Sequence, residues 1–412
     1  MAYLHGVYGE QIPTQDSLPP SGVATLPVYV GTAPGAGVSG ITVINKPVLV
    51  NSFDDAKGIV GYSDDWETYT LCEAVYAHFR NKLGPIGPII LINVLDPDIH
   101  TEENPATETD IVGGIDADGK RTGLACVDLV YQAYNMIPTI IAAPGWSHKS
   151  AVEAALLEKC QKINGHWDAI CVTDIDSSAA KTIGAAKTWK QTNAYTSKLE
   201  KACWPKVKSG SNTFWLSTMA VVRMQQTDYA NDSIPYESPS NKPIDITGAI
   251  LSDGSTVDFD EIQANDLNSE GITTVTYRSG TWVLWGPHNG NYKSGAEIDP
   301  RDKFDCNIRM MAYLTNSFQQ NYMSDVDQPL NRSKVDTILN DAQVWLNGLV
   351  GDGKMLYGKI DFNESSNPIS SIIEGDFVFD IQTTTTPPGK SLTFRVQYTT
   401  QGIEMLYGGS EG

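Results

Sequence analysis

The stretch 264–288 constrains this chain most. Asn265, Leu267 and Asn268 close a short polar, helix-like segment. Gly271 then stands where a left-handed cap is needed, a conformation glycine enters without a Cβ penalty. Ile272, Thr273, Thr274, Val275 and Tyr277 are β-branched or aromatic and predict a strand. Arg278, Ser279 and Gly280 fit a three-residue hairpin loop, and 281–285 forms the return strand. Two helical patterns, a strand pair and a short tail follow. A chain that carries this order has to build an α+β unit around the hairpin.

The region before it alternates differently. Residues 26–30 read as a strand, 66–82 as a helix, 88–95 as a buried strand, 124–135 as a helix, 138–143 as a strand, 148–164 as a helix, 168–172 as a strand and 179–191 as a helix. Helices alternating with apolar strands predict a parallel or mixed sheet covered on both faces. A proline-rich stretch with Pro235, Pro239 and Pro243 marks the expected boundary between the two regions.

Three motifs invite chemistry and none completes it. Gly35, Gly37 and Gly40 match a dinucleotide glycine pattern after a strand, but Ile41, Thr42, Val43 and Ile44 continue as strand, where the pyrophosphate needs a helix N-terminus. Ser147 and His148 lack the glycine spacing of a nucleophile elbow, and adjacent residues cannot act as nucleophile and separately oriented base. Asp116, Asp118 and Gly119 begin like a calcium loop, but no carboxylate follows at the twelfth position. Neither His166 nor His288 has a metal-ligand partner at helical spacing. No metal, cofactor or catalytic residue is assigned; an α/β nucleotide-binding enzyme using the loop at 35–40 is the alternative reading.

Charge excludes further classes. Across 412 residues the formal net charge is −20, which opposes binding to nucleic acid or anionic membranes and favours solubility. Residues 86–94 form the longest apolar run, too short to span a bilayer, so no membrane anchor is expected. The N-terminal residues show no secretory signal pattern. Cysteines at 72, 126, 160, 171, 203 and 306 form no CxxC pair and are expected as reduced, buried thiols.

The C-terminal third alternates cleanly. Helices are expected over 304–318 and 331–348, a strand over 355–362, then strands carrying Phe377, Phe379 and Ile381, and Leu392, Phe394, Val396 and Tyr398. Ile403, Met405 and Tyr407 lie on a last short strand, and Tyr3, Val7 and Tyr8 on one near the other end. An edge strand on a tail is a liability unless it pairs. It pairs either within the chain or with a neighbouring subunit, and two such arms can link subunits into rings or tubes.

Several residues together carry a family likeness. Ser238-Pro239-Ser240-Asn241, the run 265–272, Trp285-Gly286, Pro300-Arg301-Asp302, Lys354-Met355-Leu356-Tyr357-Gly358 and the opening Gly6-Val7-Tyr8-Gly9-Glu10 occur in an order and spacing that resembles the sheath subunits of contractile phage tails and contractile bacteriocins. The resemblance implies a core α+β domain holding both chain ends (241–400), an outward-facing inserted central α/β region (25–240), and arms at 1–24 and 401–412. It implies homo-oligomers stacked as sixfold rings in a helical sheath around an inner tail tube protein, with baseplate and tail terminator proteins at the ends. Such a particle is a virion tail or bacteriocin-like machine assembled in the bacterial cytoplasm, and its contraction drives the tube through a target envelope. On this reading Ile403, Met405 and Tyr407, with Tyr3, Val7 and Tyr8, are donated strands, and Leu392, Phe394 and Val396 the receiving sheet. Arg301, Lys303, Arg309, Arg332 and Lys334 are either tube-facing or solvated helix ends.

Overall fold

The structure is a computed structural model that describes residues 22–35, 43–404 and 406. Its strands are β1 (Pro27–Gly31), β2 (Pro47–Val50), β3 (Ile89–Asn93), β4 (Ile140–Ala142), β5 (Ile170–Asp174), β6 (Glu200–Cys203), β7 (Lys206–Ser209), β8 (Asn212–Phe214), β9 (Gly248–Ile250), β10 (Ile272–Arg278), β11 (Thr281–Trp285), β12 (Met355–Asp361) and β13 (Asp380–Thr385). The helices that matter here are α1 (Thr70–Phe79), α2 (Ser150–Lys159), α3 (Ile183–Thr192), α4 (Leu216–Tyr229), α5 (Glu261–Asn268), α6 (Asp305–Tyr322) and α7 (Arg332–Gly351).

Eight strands make one sheet in the order β11-β10-β6-β5-β4-β1-β3-β2. The inner six run parallel, and β2 and β11 close the two edges antiparallel. β1, β3 and β5 are buried at every residue, as parallel strands sandwiched between helical layers must be. Alternation sends Tyr29, Leu91 and Val172 to the layer of α1 and α4. It sends Val28, Val30, Ile90 and Ile141 to the layer of α2. A three-stranded antiparallel sheet, β8-β7-β9, and a two-stranded ribbon, β12-β13, stand apart. The molecule is thus mixed α/β with several sheets.

The expected break near residue 240 does not interrupt the main sheet. β10 pairs in parallel with β6 through Ile272↔Ala202 and Thr273↔Cys203, so the hairpin completes a sheet begun at Pro27. Sequence shows that 272–277 is a strand but not which neighbour it joins. The hairpin turn also differs from expectation. Arg278 pairs with Thr281, leaving two loop residues, Ser279 at φ 51° and Gly280 at φ 83°. Both in the left-handed region make the mirror-type turn that matches strand twist. Gly271 is left-handed as expected, at φ 69°. A Cβ there would sit 2.4 Å from the Asn289 carbonyl oxygen.

Past the hairpin, α6, α7 and the ribbon enclose a separate core with Met310, Leu314, Ala342, Leu346, Met355 and Ile360. Buried polar ties join α6 to the parallel sheet. Lys201 on β6 meets Asp305 at 2.5 Å, and the Arg309 guanidinium pairs with Asp228 on α4. Thr25 Oγ1 also donates to Asp228, at 2.7 Å. Asn316 and Asp168 exchange two hydrogen bonds, and Val23 N donates to Ser317 Oγ.

Candidate assembly surfaces

In an open parallel sheet, ligands bind outside the carboxyl ends of the strands where strand order reverses. Here that point lies at β1, with β3 on one side and β4 on the other. The chain fills it with its own polar groups. Asn93 Oδ1 accepts from Ala33 N, and Trp146 Nε1 donates to Thr70 Oγ1. Ser147 Oγ donates to Asp174 at 3.1 Å, and Ser217 donates to the same carboxylate through its amide at 3.0 Å and through its hydroxyl. Glu73 accepts from Thr218 Oγ1 at 2.7 Å and Trp215 N at 2.9 Å. Burial pushes Glu73 up to about 8 and Asp174 up to about 6. Ser147 therefore engages a carboxylate, while His148 stacks on Trp215 with ring centroids 4.9 Å apart. Beyond the glycine loop, the described chain from Val43 runs into the antiparallel edge strand β2 and opens no helix for a phosphate.

The five basic candidates separate by environment. Arg309 is 5 % exposed and ion-paired to Asp228, so the expectation that it faces a partner is corrected: it is a core residue joining two helices. Sequence missed this because Asp228 lies 81 positions away. Arg301 lies against Asp299 and Asp302, Arg332 against Asp336, and Lys334 against Asp325. Lys303 is half-buried, and its carbonyl oxygen meets His288 Nδ1 at 2.6 Å.

The tail is the most exposed part of the described chain. Leu392, Phe394, Val396 and Tyr398 are 76, 86, 94 and 80 % exposed. They alternate with Thr393, Arg395, Gln397 and Thr399, as a strand with one apolar face would. Yet 386–398 has no strand partner among the described residues. Leu392, Phe394 and Val396, expected as the receiving sheet, lie in a stretch that forms no strand within the described chain. Fully burying four such side chains stabilises by roughly 6–12 kcal/mol gross. Ile403, expected on a strand, lies in a short helical turn, Gln401–Glu404, and is exposed. Tyr3, Val7, Tyr8, Met405 and Tyr407 lie outside the described residues.

The structure does contain an incomplete sheet. β12 and β13 pair from Asp361↔Asp380 to Met355↔Thr385 with a bulge near Tyr357. One face packs on α6 and α7; the other is open, with Leu356 and Tyr357 exposed. Two strands are marginal by themselves, and a third with a shared apolar face adds stability. The signal for the ribbon was present in the alternation of 355–362 and 377–381, but not that it holds two strands among the described residues.

Comparison with known proteins gives the following. No model of a known protein family matches the chain. A prophage major tail sheath protein of Pseudomonas aeruginosa (strain UCBPP-PA14) is 25% identical over 410 residues, 98% of each chain. The tail sheath protein of Burkholderia phage BcepMu is 24% identical over 345 residues, 80% of this chain and 70% of that one. Among solved structures, the sheath complex of an extracellular contractile injection system (PVC) in its contracted state aligns at a TM-score of 0.67 with 13% identity, over 98% of this chain and 99% of that one.

Proposed function

We propose that the chain is a contractile tail sheath subunit and that its copies are joined by exchanged strands into a helical sheath around an inner tube. The function is structural: sheath subunits assemble and contract, and the enzyme alternative is not supported. One observation carries the strand-exchange reading. The chain holds a segment, 390–398, outside any strand or helix, with four exposed apolar side chains at period two, and also a ribbon of only two strands among the described residues. Each half offers what the other lacks, and exchange between copies satisfies both. The donated strand of this reading is Leu392, Phe394, Val396 and Tyr398, and the receiving sheet is β12-β13. Ile403, Met405, Tyr407 and the N-terminal Tyr3, Val7 and Tyr8 extend the arms at either end. Sixfold rings, and a tube contacted by Arg301, Lys303, Arg332 and Lys334, complete the proposal, with baseplate and terminator proteins capping the ends.

Negative-stain electron microscopy of the purified protein is the test. Hollow striated tubes that disappear when residues 390–412 are deleted, with the deletion variant still folded, support the reading. Unaltered tubes in that variant remove it.

A further inference from the structure

A buried carboxyl cluster lies between α2, α3 and the parallel sheet. Glu200 on β6 is 1 % exposed. Its Oε1 accepts from Thr173 Oγ1 at 2.5 Å, and its Oε2 has no hydrogen-bond partner among the described residues. Glu153 on α2 is also buried, and its Oε1 is unpartnered in the same way. A buried carboxylate oxygen without a donor is costly when charged, and a proton removes the charge. The groups that face Glu200 give a charge there little cover. Glu153 on α2 and Cys171 on β5 face it, and Cys203 lies along β6 itself. Tyr195, which Asp174 also faces, spends its hydroxyl on Ser147 O at 2.8 Å. Among the described residues the cation facing Glu200 is Lys190 on α3, with Glu270 and Lys293 facing Lys190 in turn.

The loop 286–292, which leads from the hairpin toward α6, sits on this cluster. Gly290 N donates to Glu200 O at 2.8 Å, and Asn291 N to Ser197 O at 3.1 Å. Lys190 Nζ donates to Gly290 O at 2.6 Å. Three oxygens gather against Gly290: a Cβ there would lie 3.0 Å from Ser197 O, 3.1 Å from Glu200 Oε2 and 3.2 Å from Tyr195 O. Of those three, the carboxyl is the one able to carry a hydrogen.

We infer that Glu200, with Glu153 beside it, is a proton-operated latch: protonated, it seats loop 286–292 on β6, and ionised, it loosens that seat. The latch belongs to the single subunit and stands apart from how copies assemble. It sets how firmly the hairpin is joined to α6, and so the parallel sheet to the C-terminal unit. Burial, with Glu153 adding to it, pushes Glu200 up to about 8, and burial pushes Glu153 up to about 7. Both lie above the ordinary 4.5, so the seated loop is favoured at low pH and loses that advantage as pH rises toward 8. Lys190 works in the other direction. Burial lowers it from 10.5 to about 8, so its contribution grows as pH rises from about 8. Below that it stays mostly charged, and the carboxyls decide the sign.

Amide hydrogen exchange on the full-length chain, corrected for the intrinsic base-catalysed rate, tests this. Leu91, paired on both sides within the sheet, reports global opening. Relative to Leu91, protection at Gly290 and Asn291 should fall roughly tenfold or more from pH 6 to pH 8. Glu200→Gln keeps an acceptor for Thr173 and cannot ionise, so it should hold the pH 6 protection at both pH values. Glu153→Gln removes the neighbouring charge and should shrink the fall; it carries the test if the first variant does not fold. No fall at Gly290, a fall no larger than that of Leu91, or an undiminished fall in the folded variants would overturn the latch.

Discussion

At the scale of single residues, Arg309 and Asp228 form the ion pair on which much of the C-terminal packing turns. Both are buried, and Thr25 adds a third partner to the carboxylate. Arg309→Met leaves Asp228 buried without its cation, and should cost about 3–5 kcal/mol in urea unfolding. Arg301→Ala, at an exposed pair, should cost under about 1 kcal/mol in the same assay. Glu73 carries a pH signature. Its folded-state value near 8 lies above its ordinary value of 4.5, so the folded chain keeps a proton that the unfolded chain loses. That contribution therefore declines as pH rises from about 4.5 to about 8. Glu73→Gln should flatten the decline, by on the order of 3 kcal/mol between pH 5 and pH 8. Equal slopes in both proteins would reject the buried-proton account. None of this was legible in sequence, where Arg309 reads like any basic residue near a helix start and Glu73 like any carboxylate in a helix.

At the scale of elements, local chemistry was readable and pairing was not. Gly271 announced its left-handed position because glycine reaches it without a Cβ penalty. Gly271→Ala should lower stability by about 2–3 kcal/mol, from strain and the approach to the Asn289 carbonyl together, as measured by chemical denaturation. Ser279 and Gly280 marked a turn, but its length depended on whether Arg278 paired with Thr281, a cross-strand fact. The tail shows the same division. Its alternation made 392–398 read as a strand, while the lack of a strand partner among the described residues appeared only in three dimensions. Phe394→Glu should leave the melting temperature of the unassembled chain within a degree or two, because that side chain is 86 % exposed. Sedimentation should show the same variant failing to polymerise; normal polymers would take the donated strand away from this stretch.

At the scale of the whole molecule, α6 spans the expected boundary, bonded to β6, to α4 and to the loop before β5. The sheet crosses the same boundary through β10 and β6. The parallel sheet and the C-terminal unit are therefore held together by buried ties, while Leu392, Phe394, Val396 and Tyr398 of the tail and Leu356 and Tyr357 of the ribbon are exposed. What the sequence by itself determined was the local menu: the alternating helices and strands, the left-handed glycine, the hairpin and the period-two tail, each written in spacings of a few residues. Only the tertiary structure decided that β10 joins β6, that Arg309 is buried against Asp228, and that Gln343 of α7 hydrogen-bonds Gly358 and Ile360 of β12. Those outcomes depend on side chains brought together from distant positions, where burial removes water as the competing partner; local spacing carries no record of that.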